Sequence, residues 1–303
     1  MGTSETAVER PGGTADLAGR PVARIGYGAM QLVAHRPGDP AVDRDVAIAL
    51  LRYATGRGIN HIDTAQFYGS GACNELIRAA LQPFPDDLVI VSKIGATNAA
   101  DGALIAAQRP EQLRAQVEEN LTTLGIDRLL VVNLRRLDGP PGIIAEGDQL
   151  VDLDSQLTEL LALRDAGKIG AIGLSNVSAE HLRRAVPAGI ACVQNIHNPV
   201  DRSTEAVLDT CREHDIAWVP YFPLGSAFPG LPKVTDRPEV QSIAADLQAT
   251  PAQVALAWHL AHYAHTLLIP GTTSTRHLDE NIAAGTVRLD ARGTAVLDRL
   301  ATP

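Results

Sequence analysis

Asp63 and Tyr68 lie five residues apart in the stretch NHIDTAQFYGSG, where an apolar segment runs into a turn-rich loop. Further along, Lys93 sits near the end of the apolar run LVIVSKIG, and Arg135 closes RLLVVNLR. Brought together, these four groups do specific chemistry. A phenol has a reference pKa of about 10, too high for easy proton donation and recovery near neutrality. A neighbouring ammonium favours the phenolate and lowers that value, and a carboxylate fixes the ammonium. The set is then a general acid suited to protonating a carbonyl oxygen as a hydride reaches its carbon. Singly, an Asp before a turn reads as a cap, a loop Tyr as packing and a strand-end Lys as a snorkelling cation. At successive strand ends the functional reading is favoured.

The elements that must position them alternate in kind. A short hairpin is expected around 15–23. Strands are expected at 23–29, 60–65, 88–95, 128–135, 169–175, 191–195, 217–222 and 266–270. Most are β-rich and mainly apolar, as strands buried on both faces should be. Helices are expected near 43–57, 73–82, 110–124, 152–167, 178–186, 203–214, 251–264 and 290–301. Asp43, Ser178 and Thr250-Pro251 are start signals, and Gly58, Gly125 and Gly167 are stops. Such alternation predicts an α/β fold, a (β/α)8 TIM barrel with a short N-terminal β-hairpin, in one domain over 15–303. Residues 1–14 read as a disordered leader, although Gly2 and Thr6 fit a myristoylation pattern.

In such a barrel the C-terminal strand ends face the active site. Alternation puts Val89, Val91 and Lys93 on one face, and Leu129, Val131, Asn133 and Arg135 on one face of the next strand. Asn133 and Arg135 should then project into the mouth. The loops 136–151 and 223–235 exceed ordinary connections, a length often tied to function.

Other chemistries fit poorly. Net charge is −9, with no long basic run, which argues against nucleic acid. No apolar stretch reaches the roughly 20 residues of a membrane span, and the first residues lack a secretory h-region. Three cysteines, Cys73, Cys192 and Cys211, are widely spaced, which fits a reducing, cytoplasmic setting better than disulfides or zinc. Cys73, near the Asp63–Tyr68 loop, reads as structural. His259, His262 and His265 read as packing or surface groups, and no metal site is expected. The sequence fixes no oligomeric state.

The sequence resembles the aldo-keto reductases along nearly its whole length. The resemblance rests on GYGAM (26–30), DTAQFYG (63–69), VSKIG (91–95), LGIDRLLVVNLR (124–135), GLSN (173–176), VQN (193–195), YFPLG (221–225) and IPGTTSTRHLDEN (269–281), in family order. It implies a TIM barrel, no metal, and NADPH-dependent reduction of a small aldehyde or ketone, with NADH the less favoured cofactor. Tyr68 would be the proton donor, tuned by Lys93, with Asp63 holding the lysine. Ser175, Asn176 and Gln194 would bind the nicotinamide carboxamide, and Tyr221 would stack on the ring. Gly28 and Met30, with Asp63, would border the cofactor. Leu224 and Ser226 would approach the pyrophosphate. Gly271, Thr273, His277, Glu280 and Asn281 would surround the adenosine phosphate and adenine, with the start of the following helix offering N–H groups to the phosphate. Tyr68, Asn133 and Arg135 would meet the substrate.

Two positions depart from the family pattern. The fourth catalytic position, normally histidine, is Arg135, which cannot exchange a proton at working pH but can donate hydrogen bonds to a carbonyl. VVNLR is similar to a bacterial subgroup of pyridoxal reductase-like enzymes, so pyridoxal is the named substrate expectation. At the adenosine end the chain reads Gly271-Thr272-Thr273 where many relatives carry a base, leaving Arg276 and His277 as candidates for a 2′-phosphate. The arginine substitution also admits an NADP(H)-sensing accessory protein with little turnover. A Schiff-base aldolase using Lys93 is a further alternative, disfavoured because Asp63 nearby would keep the ammonium charged.

Overall fold

The structure, a computed structural model, describes residues 9–34, 42–140, 142–225 and 232–301. The expected leader lies partly outside this range. Its end does not behave as a free tail: Pro11 O accepts from Ile25 N (3.0 Å), and Arg10 pairs with Asp87. Gly2 and Thr6 lie outside the described residues.

The hairpin forms as β1 (Thr14–Leu17) and β2 (Arg20–Ala23), antiparallel, turning through Ala18 and Gly19 at positive φ. Leu17 and Val22 pack against Val89, Val91, Val131, Cys192, Ala217, Val219, Leu267 and Ile269. These residues fill the interior of the ring of strands, and the hairpin closes its floor.

The ring begins with β3 (Tyr27–Gly28) and β4 (His61–Asp63), followed by β5 (Val89–Ile94). After a small antiparallel hairpin, β6 (Ala96–Asn98) and β7 (Leu104–Ala106), it continues through β8 (Leu129–Arg135), β9 (Ile169–Ser175), β10 (Ile190–Gln194) and β11 (Ala217–Trp218). The seven ring strands are parallel neighbours in that order. Residues 266–268 close the ring. Trp218 bridges Thr266 and Ile25 bridges Leu268, both parallel, and Gly26 N donates to Leu268 O (2.7 Å). The eighth strand is thus held by single bridges rather than a long ladder, and the expected strands at 217–222 and 23–29 are shorter for the same reason.

Helices cover the outside: α1 (Arg44–Gly56), α2 (Ala72–Leu81), α3 (Pro110–Leu124), α4 (Leu153–Asp165), α5 (Ala179–Ala185), α6 (Glu205–Glu213), α7 (Pro238–Asp246), α8 (Pro251–His262), α9 (Thr275–Ala283) and α10 (Ala291–Asp298). Asp43 caps α1 through Asp45 N and Val46 N, Ser178 caps α5, and Thr250 with Gln253 forms a capping box on α8. Gly125 ends α3 in the left-handed conformation, φ +67°. The outer faces of the strands (Ile62, Ile90, Ile94, Val132, Leu134, Ile172, Leu174) pack under these helices in one large core. Truncating any of these leucines to Ala would cost about 2–5 kcal/mol.

The expected alternation holds from Val131 to Arg135 but fails at the start of β8. There Leu129 joins the outer core and Leu130 contacts the interior, with no residue of β9 paired to Leu130. Sequence reading gave no bounds for α7, α9 or the β6–β7 hairpin, although Asp101-Gly102 at the hairpin tip is a turn signal. No helix among the described residues is long and apolar enough to cross a membrane.

Candidate active site

The ends of β4, β5 and β8 deliver Asp63, Lys93 and Arg135 to the same end of the barrel. Asp63 pairs with Val91, Lys93 with Asn133, and Arg135 with Ser175 across adjacent strands. Tyr68 sits in the loop after β4. That loop turns tightly, with Gly69, Ser70 and Gly71 all at positive φ, and delivers the chain into α2. Gly71 is required there: a Cβ would lie 2.9 Å from Gln66 Nε2, in a conformation L side chains rarely adopt.

Lys93 is 6% exposed and Asp63 3%. The ammonium donates to Asp63 Oδ1 and to Thr64 O (3.1 Å), and lies 5.0 Å from the centroid of the Tyr68 ring. Asp63 Oδ2 accepts from Gln194 Nε2 across the barrel (2.9 Å). Burial is the largest influence and works against the lysine charge, but Asp63 and Tyr68 together outweigh it and the Lys93 pKa is raised. Tyr68 differs from expectation. Burial raises its pKa, Lys93 and Arg135 oppose that, and burial wins, so the phenol stays above its ordinary value. The protonated form is thereby favoured, which suits a proton donor.

Arg135 is half-buried at the end of β8, its carbonyl held by Gln108 Nε2 (2.8 Å). Its charge lowers the pKa of both Tyr68 and Tyr221, placing it near both phenols, although burial dominates at each. Asn133 does not reach the mouth. It is 1% exposed beside Lys93, its Oδ1 accepts from Cys192 Sγ (3.2 Å), and its Nδ2 has no partner among the described residues. Gly173 leaves the space for it, since a Cβ there would lie 1.9 Å from Asn133 Oδ1. The alternation was right, but inward at that level means into the packed interior.

Around this centre lie the other expected contacts. Ser175 is buried at the end of β9, and Asn176 follows at φ +58°. Asn176 Nδ2 donates to Arg136 O and Gly139 O (3.0 Å each), so it anchors the 136–151 loop, while Asn176 Oδ1 faces Tyr221 Oη at 3.5 Å. Gln194 Oε1 is buried with no donor among the described residues. Both carbonyl oxygens are thus acceptors suited to an amide N–H. Tyr221 is half-buried, edge-on to Phe222. Leu224 is half-buried and packs beside the interiors of two outer clusters; Ser226 lies outside the described residues.

At the far end, Ser274 caps α9, with Thr273 and His277 exposed near its start. Arg276 reaches His277 Nε2 (3.0 Å) and Glu280 (3.5 Å), and Asn281 is buried behind them. Gly28 and Gly271 have a packing reason of their own. A Cβ on Gly28 would lie 2.4 Å from Ile269 O, and one on Gly271 2.8 Å from Gly28 O. Met30 is half-buried in the single-turn helix Ala29–Leu32.

Sequence reasoning missed Arg136 and Asn195. Arg136 is buried and bonds Asp138, Gln156 and Val151 O, pinning the long loop over the mouth. Asn195 brackets Val177 through N–H and C=O, fixing the turn that carries Ser175 and Asn176. Its place in VQN was the available signal; no local pattern marks Arg136 as buried.

The three cysteines are buried and unpaired, and burial pushes Cys73 up to about 12. His259 is buried against Trp258, whereas His262 bonds Glu205 on α6. His197, Glu205 and His262 offer metal-ligand atoms within 4.8 Å of one another. Yet Arg202 and Arg212 also bond Glu205, at 2.9 and 3.3 Å, so a cation there would have to displace them.

Comparison with known proteins identifies the family. The chain is 43% identical over 286 residues to pyridoxine 4-dehydrogenase of Escherichia coli K12, covering 94% of this chain and 97% of that protein. It superimposes on the thermostable aldo-keto reductase Tm1743, solved with the inhibitor epalrestat, with TM-score 0.79 at 27% identity, covering 95% and 99% of the two chains. An aldo-keto reductase of Klebsiella pneumoniae solved with NADPH matches with TM-score 0.77 at 26% identity, over 98% and 96%. The model of the aldo/keto reductase family matches residues 24–302, from the strand that opens the barrel to the last helix, and the chain belongs to that family.

Proposed function

We propose that the protein is an oxidoreductase that reduces a small aldehyde or ketone to the alcohol with NADPH, and that Tyr68 supplies the proton. The observation that carries this reading is the Lys93 ammonium held by Asp63 and Thr64 under the Tyr68 ring. Bound NADPH supplies the hydride to the carbonyl carbon. As that carbon gains the electron pair, negative charge builds on the oxygen, and Tyr68 Oη transfers its proton there. The phenolate left behind is stabilised by Lys93, whose charge Asp63 secures. Arg135 donates hydrogen bonds to the same oxygen without exchanging a proton.

The residues present fit the cofactor. Gln194 Oε1 and Asn176 Oδ1 are acceptors for a carboxamide N–H, Ser175 precedes Asn176 and pairs with Gln194 across β9 and β10, and Tyr221 offers a ring face. Leu224 and Ser226 would border the pyrophosphate. Thr273, His277, Glu280 and Asn281 would surround the adenosine end, with Gly28, Met30 and Gly271 shaping the wall. Arg276, exposed in the first turn of α9, is the cation best placed for a 2′-phosphate, which supports NADPH over NADH.

Pyridoxal is the first substrate to test, given the likeness to the E. coli enzyme. The test is NADPH oxidation against pyridoxal, aromatic aldehydes and keto-sugars, with Tyr68→Phe as control. Turnover of pyridoxal above the rest supports the narrower reading. Binding of NADPH without its oxidation by any carbonyl would leave only a cofactor-sensing role.

A further inference from the structure

A set of buried polar side chains lies on the helix side of the barrel wall, behind the catalytic pair. Thr64 follows Asp63 and Ser92 precedes Lys93, so alternation turns both away from the mouth, toward α2 and α3. All of Thr64, Asn74, Ser92 and Asn120 are fully buried. Thr64 Oγ1 donates to Asn74 Oδ1 (2.9 Å) and Ser92 Oγ to Asn120 Oδ1 (2.6 Å). Asn74 Nδ2 joins the two halves by donating to Asn120 Oδ1 (3.0 Å). The same amide lies 2.9 Å from Gln66 Oε1 and 3.0 Å from Thr123 Oγ1, and Asn120 Nδ2 is tied to Gln116 O (2.8 Å).

The location of this set gives it a purpose. Regular pairing of β4 with β5 ends at Asp63 and Val91. Beyond that rung Thr64 N still bonds Val91 O (2.8 Å), but the ladder does not continue. The two chains diverge here, and here the site needs them fixed, because Lys93 donates one bond to Asp63 on β4 and another to the carbonyl of Thr64. A fully satisfied buried network specifies one arrangement of the groups it joins. An apolar filling of this space would pack as well but would leave the separation of the two strand ends free.

We propose that Asn74 and Asn120 are positioning residues: with Thr64 and Ser92 they clasp the two strand ends from outside, so that Lys93 stays seated between Asp63 and the Thr64 carbonyl beneath Tyr68. This rests on the assignment of Tyr68 as proton donor. Their effect runs through Lys93, and neither residue touches substrate or cofactor. Loss of the clasp would let the Thr64 carbonyl turn, loosen the ammonium and change the environment of the phenol.

The experiment compares Thr64→Val, Thr64→Ser and Ser92→Ala with Thr210→Val, which removes a buried hydroxyl from α6 that bonds only the Ala206 carbonyl (3.0 Å). Carbonyl reduction gives kcat and KM. The 13Cζ resonance of Tyr68, one of five tyrosines and assigned with Tyr68→Phe, reports the phenol without requiring turnover. In Thr64→Val, kcat falls at least about tenfold while KM moves less than about twofold. Thr64→Ser restores it, and the Tyr68 resonance shifts in Thr64→Val but not in Thr210→Val. If Thr64→Val lowers thermal stability as Thr210→Val does, yet leaves kcat and the resonance unchanged, the clasp is only structural and the proposal is overturned. Should Thr64→Val fail to fold, Ser92→Ala, which keeps the Asn74–Asn120 bond, is judged by the same two readouts. If the wild type reduces no carbonyl, the enzymatic reading fails by itself, and movement of the Tyr68 resonance still decides for or against the clasp.

Discussion

Two buried charge clusters in this molecule use similar residues to opposite ends. At the mouth, Asp63 holds Lys93 beneath Tyr68, and the phenol stays half-buried and protonated. Between α6 and α8, Glu205 accepts from His197, His262, Arg202 and Arg212, both oxygens being occupied. Burial would raise the Glu205 pKa, but bonds from His197, His262 and Arg202 dominate and hold it well below the usual carboxylate range. Trp258 stacks on both His197 and His262. A titratable cluster becomes reactive when one member keeps an unfilled valence toward a space a ligand can enter. Where both oxygens of the shared carboxylate are taken by side chains of the fold, the same groups fasten helices.

The contrast can be broken or sharpened by substitution. Tyr68→Phe should show the largest effect, a loss of about 10²–10⁴-fold in kcat/KM with NADPH affinity retained, read by turnover and by fluorescence titration. Lys93→Met removes one partner of a buried pair. It should reduce kcat/KM by about a hundredfold and stability by about 3–5 kcal/mol, measured in urea, because Asp63 is left uncompensated. Arg135→Ala should lower kcat/KM by about tenfold through the lost hydrogen bonds to the carbonyl. A change smaller than about threefold would remove Arg135 from that role.

The α6–α8 cluster should respond the other way. Glu205→Gln should cost about 1–3 kcal/mol of stability while kcat/KM stays within about twofold, since none of the side chains bonded to Glu205 is a catalytic residue. A comparable loss of activity would mean the two clusters are coupled. The smallest effect concerns pH. Burial depresses the pKa of His197 and His259, and takes His61 down to about 4. An unfolded histidine titrates near 6.5, so as pH falls below that value the unfolded chain takes up protons that the folded one refuses. The stabilisation is complete above about 6.5 and is lost as pH falls toward 4, with His61 contributing at most about 3 kcal/mol. Urea midpoints between pH 7.5 and 4.5 should fall accordingly; a flat profile would mean these imidazoles are not sealed from water.

Much of this arrangement was legible in the chain itself. Asp63, Lys93 and Arg135 close apolar runs, and two-residue alternation alone put Lys93 on the inner face with Val89 and Val91, as in the structure. Caps at Asp43, Ser178 and Thr250 were visible because side-chain oxygens meet N–H groups only a few residues away. Asn133 was misjudged because periodicity gives the face and not the depth. The polar stripe Gln116–Asn120–Thr123 on α3 has helical spacing, yet nothing local tells that it turns inward to partners on other elements. The bond from Gln194 to Asp63 joins residues 131 apart in sequence.

The sequence by itself determined the alternation of strands and helices around the ring and placed a phenol, an ammonium and a carboxylate at one end of the barrel, because each follows from short-range patterning and covalent neighbours. Only the tertiary structure decided that burial outweighs Lys93 in setting the Tyr68 proton, that Asn133 lies beneath the mouth, and that Glu205 is saturated by its neighbours. Those outcomes depend on how much water each group loses and which partners replace it, and that balance exists only once the ring has closed.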